Sequence, residues 1–130
     1  RLLLGTYVLS AGYYDAYYKK AAQVRRLILD DFHKAFEQCD FLAAPAAPMT
    51  AWPLGGHKED PVTAYRMDKL TLPLNLAGLP GMTVPVGLGK DSNLPVGMQL
   101  FAPAFKEAAL LGFGKALHAH MPDLGMPRGV

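Results

Sequence analysis

The chain is poor in the residues that do covalent chemistry. Its 130 residues include one cysteine, Cys39, which excludes an internal disulfide and fits a reducing compartment. Cys39 falls on the apolar register of a helical stretch, where a thiol packs rather than attacks. Only two serines occur, Ser10 and Ser92. Ser10 stands at a helix end before Ala11-Gly12 and Ser92 in a polar turn between Asp91 and Asn93, and neither has a Gly-x-Ser-x-Gly setting. The glycines are dispersed, so no phosphate-cradling loop forms. The histidines offer no metal-binding spacing: His33 is on the polar side of a helix, His57 in a proline-rich loop, and His118 and His120 are two apart and cannot face one ligand together.

Charge excess and long apolar runs are missing too. Thirteen basic residues nearly balance eleven acidic ones, a net charge of +2 with no basic run beyond Lys19-Lys20 or Arg25-Arg26, which is no nucleic-acid footprint. The longest apolar stretches, such as residues 41–47, fall far short of the ~20 residues that span a membrane, and no signal-peptide pattern appears, so a soluble protein is expected.

What the chain does have is hydrophobic content, at 51%. A chain of this size can bury roughly two thirds of its unfolded surface. It opens at Arg1 and at once on Leu2-Leu3-Leu4, as if cut from the middle of an element, and is expected to be a piece of a longer protein.

Residues 2–10 read as the end of a helix closed by Gly12. Over residues 13–38, Tyr14, Tyr17, Tyr18, Ala21, Val24, Ile28, Phe32, Ala35 and Phe36 recur at three- and four-residue steps opposite Lys20, Gln23, Asp30, Lys34 and Glu37, which predicts a long amphipathic helix with one buried stripe. Residues 41–45 are too few for a helix and end at Pro45, hence a buried strand. Residues 46–61, rich in proline and glycine, read as loop. Residues 82–86 and 96–101 form two strands of a hairpin around the polar turn 89–93, with Pro85 at an edge, a bulge or a strand end. Residues 105–120 return to helical period through Ala108, Leu111 and Leu117, and 121–130 form a tail. The order indicates an α/β layer arrangement.

The most informative segment is residues 65–80, YRMDKLTLPLNLAGLP: an acid and an amide in an apolar stretch punctuated by Pro73, Gly78 and Pro80. It reads as a short broken helix feeding a strand, with Asp68 on a partly buried shelf. Such a carboxylate is paired within the protein, waits for a cationic ligand, or caps the helix starting at Lys69.

The run Gly5-Thr6-Tyr7-Val8-Leu9-Ser10-Ala11-Gly12-Tyr13-Tyr14-Asp15-Ala16-Tyr17-Tyr18, with Val24-Arg25, Asp31-Phe32, Ala44-Pro45, Asp60-Pro61, Tyr65, Asp68, Asn75-Leu76-Ala77-Gly78-Leu79-Pro80 and Leu94-Pro95-Val96-Gly97-Met98-Gln99, resembles the C-terminal third of the A subunits of aspartyl/glutamyl-tRNA amidotransferases, within the amidase-signature family. The likeness covers about residues 1–120, leaving 121–130 as the tail. It implies part of an α/β/α sandwich with a mixed central sheet, in a cytoplasmic enzyme that hydrolyses glutamine through a Ser, cis-Ser and Lys triad. The ammonia would pass to a partner that amidates misacylated tRNA; subunits B and C complete the implied complex, and ATP and Mg belong to the partner. The triad lies in family regions this sequence lacks, so no catalytic residue carries over, and the chain alone is expected to be inactive and to self-associate.

The resemblance carries over a substrate clamp: Asp68 for the α-ammonium of glutamine and Arg1 for its α-carboxylate. An arginine fork and a carboxylate suit those two charges. One departure is Ala46, where the family often has threonine. A wider amidase acting on other amides and a non-catalytic binding module are the alternatives.

Overall fold

A computed structural model describes residues 3, 6–7, 17–54 and 61–125. In chain order these hold helix α1 (Lys19–Phe36), strand β1 (Leu42–Pro45), helix α2 (Pro61–Met67), a 3₁₀ turn (Asp68–Leu70), helix α3 (Leu72–Ala77), strands β2 (Gly81–Leu88) and β3 (Pro95–Phe101), and helix α4 (Glu107–His118). The α/β class expected from the sequence is what is found. Most of the helix expected over residues 2–10, with its Gly12 stop, lies outside the described residues.

The three strands form one sheet in the order β1-β3-β2, antiparallel throughout. The expected hairpin is β2–β3, and the turn between them closes through Gly89 N–H to the Leu94 carbonyl and Asn93 N–H to the Gly89 carbonyl, each at 2.8 Å. Pro85 sits on an outer strand and at an irregularity: Pro85 pairs with Gly97, but Gly87 already pairs with Val96. A residue with no N–H is tolerated in both circumstances.

Side-chain alternation along β3 builds a core on each face. Leu100 is paired with Met82, and Met98 with Val84; with Ala102 and Leu110 of α4 they form the main cluster, to which Phe41 and Leu117 add. Helix α4 reaches this face through Gly114, where a side chain would collide with Met82. On the opposite face Phe101 meets Phe32 of α1 edge to face, the ring centroids 5.9 Å apart, and Gln99 is buried beneath the 3₁₀ turn. Helices thus lie on both sides of the sheet.

Two helical expectations are corrected. In α4, Leu110 and Gly114 are buried while Ala108 and Leu111 are exposed, so the face is rotated from the one predicted; only Leu117 is where it was expected. In α1 no residue is fully buried: Ile28, Phe32, Ala35 and Phe36 are half-buried, whereas Tyr17, Tyr18, Ala21 and Val24 are exposed. The expected stripe exists as chemistry, but within this chain only its C-terminal half is covered. The region expected as loop ends at Pro61, which opens α2, since the first turn of a helix needs no N–H from it.

Candidate functional site

Pro73 explains the break that creates the site. As the second residue of α3 it can donate nothing to the Lys69 carbonyl, and its ring crowds that oxygen, so α2 cannot run on into α3. The chain tightens into the 3₁₀ turn Asp68–Leu70 instead. Thr71 closes the turn, its backbone N–H and its hydroxyl both donating to the Asp68 carbonyl at 3.1 Å. Asn75 then donates from its side chain to the Thr71 carbonyl at 2.9 Å. Helix α3 stops at Gly78, whose left-handed backbone (φ 71°, ψ 36°) lets its N–H return to the Leu74 carbonyl at 3.0 Å. The broken helix predicted for residues 65–80 is therefore present.

The turn is tied to the sheet by one side chain. Gln99, buried in the middle of β3, donates from Nε2 to the Leu70 carbonyl and to the Pro45 carbonyl, both at 2.8 Å. A second tie secures α3 to α1: Arg25 Nε donates to the Leu76 carbonyl at 2.8 Å.

Asp68 differs from its expected setting. Its side chain is exposed rather than half-buried; the apolar neighbours that implied a shelf, Met67 and Leu70, turn inward and leave the acid outside. It does not act as a helix cap, because α3 starts from Thr71 and the 3₁₀ turn from Met67, and neither start has a side-chain capping bond. Among the described residues the Asp68 carboxylate has no hydrogen-bond or ion-pair partner.

Beside the turn is a cavity of about 640 Å³, walled by the loop from Ala47 to Trp52, by Met67, and by Pro95, Val96 and Gly97 of β3. The loop leaves the sheet at Ala46, whose N–H donates to the Gly97 carbonyl at 2.9 Å. The residue at this departure from the family pattern contributes through its backbone.

Arg1, Ser10 and His57 lie outside the described residues. Ser92 is exposed in the hairpin turn, where its hydroxyl accepts the Leu94 N–H at 3.3 Å, as the sequence predicts for a turn residue. Cys39 is half-buried and donates to the Ala35 carbonyl at 3.3 Å. His120 bonds the Ala116 carbonyl at 2.8 Å through Nδ1. Among the described residues no three of His, Cys, Asp and Glu converge as a metal site would require, and no helix is long and apolar enough to cross a membrane. Sequence reasoning missed Gln99 and Arg25 as structural ties. The signal for Gln99 was available: a lone amide in the apolar strand 96–101 must find partners if both faces are covered.

The chain belongs to the Amidase family, whose model matches residues 1–111. The curated A subunit of the glutamyl-tRNA(Gln) amidotransferase of Nitratidesulfovibrio vulgaris strain DP4 is 58% identical over 130 residues, which are all of this chain and 27% of that protein. The protein of the same name from Oleidesulfovibrio alaskensis is 61% identical over 117 residues, 90% of this chain and 24% of the relative. Among solved structures, the A subunit of the Thermotoga maritima glutamyl-tRNA(Gln) amidotransferase superposes with a TM-score of 0.76 at 41% identity, over 94% of this chain and 26% of that one. A crystal structure of an amidase follows at 0.70 and 26% identity, over 92% and 27%. The chain spans about a quarter of the length of the relatives it matches.

Proposed function

We propose that these residues form the C-terminal part of a glutaminase subunit in a tRNA-dependent amidotransferase. The whole protein would hydrolyse glutamine to glutamate and ammonia, and the ammonia would convert Glu-tRNA(Gln) to Gln-tRNA(Gln), or Asp-tRNA(Asn) to Asn-tRNA(Asn), in a cytoplasmic complex with subunits B and C. ATP and Mg would serve the partner subunit, which would also make most of the tRNA contacts. The observation that carries this reading is the 58% identity, along the whole of this chain, to a protein named as the A subunit of that enzyme.

In this reading Asp68 receives the α-ammonium of glutamine and Arg1 grips its α-carboxylate. What supports Asp68 is its unpaired carboxylate on a turn held from both ends. A carboxylate accepting from an ammonium gives a charge-assisted bond worth about 1.5–3 kcal/mol, and exposure places it at the low end. A wider amidase is the second reading, favoured by the likeness to the amidase structure. The two part on the α-ammonium, which a simple amide lacks.

The test is Asp68→Asn in the full-length enzyme. The shape is kept and the charge removed, so KM for glutamine should rise about tenfold while amidation driven by free ammonia persists. Unchanged glutamine kinetics would remove Asp68 from the clamp and favour the wider amidase.

A further inference from the structure

Gln99 has an unusual position for a polar side chain, 4% exposed on the central strand of the sheet. A primary amide has two N–H donors, and the two oxygens at 2.8 Å from Nε2 use both. Those oxygens belong to Pro45, where β1 gives way to the loop that walls the cavity, and to Leu70, the last residue of the turn that begins with Asp68. One side chain therefore references both sides of the site to the same rigid strand. The Thr71 bonds to the Asp68 carbonyl also fasten the turn, and these fix its internal shape but not its height above the sheet.

We propose that Gln99 is a positioning residue for Asp68: it holds the 3₁₀ turn at the distance from β3 that places the carboxylate to receive a substrate ammonium. The proposal rests on the reading of Asp68 given above. A leucine at position 99 would fill similar volume and leave two carbonyls without donors, so the turn and the loop would part from the strand to reach water. Charge and shape at Asp68 would be intact, while its placement and that of the loop would change.

The experiment compares two substrates in the full-length enzyme: glutamine, and glutaramic acid, which is glutamine without its α-amino group. For the parent enzyme, the ratio of kcat/KM for glutamine over glutaramic acid measures what the ammonium contributes. Gln99→Leu is expected to lower that ratio about tenfold, as Asp68→Asn is, with the loss for glutamine exceeding any loss for glutaramic acid. The double variant should discriminate no worse than Asp68→Asn alone, because both changes remove one interaction. Gln99→Asn retains both donors but is one methylene short, and should lower the ratio in the same direction; it carries the comparison if the leucine variant does not fold. Equal losses on both substrates, or an unchanged ratio, would make Gln99 a purely structural residue and overturn the proposal while Asp68 keeps its role. An unchanged ratio in Asp68→Asn would overturn the reading of Asp68, and the proposal with it.

Discussion

The thioether of Met82 occupies the space that a Cβ at position 114 would need, so Gly114 is a point of close approach between α4 and β2. Gly114 is itself buried, and Leu110, one turn earlier on the same helix, enters the main core beside Val84 and Leu100.

Gly114→Ala sets two effects against each other: helix propensity gains about 1 kcal/mol and overpacking costs about 1–3, softened because the end of a methionine can swing aside. Gly114→Val keeps less of the gain and enlarges the clash, so it should destabilise by about 2–3 kcal/mol in urea unfolding. Adding Met82→Ala to Gly114→Val should cost less than the two single changes summed, since the second makes room for the first. Simple additivity would mean that the helix and strand do not meet there.

The 130-residue chain by itself should release no ammonia from glutamine or asparagine. Ser92 is in an exposed turn with its oxygen engaged by Leu94 N–H, and among the described residues no three of His, Cys, Asp and Glu converge to hold a metal. Ammonia production by purified chain that is lost on Ser10→Ala or Ser92→Ala would contradict this.

Arg1 should matter to glutamine in the full-length enzyme through two-point contact with the α-carboxylate. Arg1→Lys keeps the charge but gives up the fork, and should raise KM for glutamine by about three- to tenfold with little change in kcat. Kinetics indistinguishable from the parent would leave the carboxylate to another residue.

Apolar surface on α1 predicts that the isolated chain self-associates. Tyr17 is 61% exposed, Val24 48% and Leu27 64%, and with Ile28 and Leu76 the first two line an apolar groove of about 390 Å³. Light scattering should show species larger than a monomer at high concentration. Val24→Lys with Leu27→Lys should shift the distribution to monomer, and a parent chain that is monomeric throughout would refute the expectation.

The fold is legible in the sequence where one local signal dominates. The polar residues 89–93 between two apolar runs leave little but a hairpin, and Pro73 with Gly78 leaves little but a broken helix. Helix α4 is placed correctly by its period but its face is not, because Ala109, Leu110, Leu111, Phe113 and Ala116 spread apolar character almost around its circumference. Period alone cannot choose a face there; the close approach at Gly114 does. For α1 the period is right and the expected burial is not, since amphipathicity shows which face seeks cover without showing what covers it. Asp68 is expected half-buried because its sequence neighbours are apolar, yet in a tight turn consecutive side chains point to different sides. The amide of Gln99 joins residues 29 and 54 positions away, a relation that no local pattern encodes.

The outer strands bear on how such a chain would meet its own copies. β1 is four residues long and ends in Pro45, while β2 carries Pro85 beside a break in register, so each free margin of the sheet includes a residue that cannot donate. Another strand laid along either margin would meet a gap in its ladder, which disfavours growth into cross-β fibrils. Association of this piece is thereby steered toward its helical surface, where side chains rather than backbone set the partner and where charge substitution can reverse it.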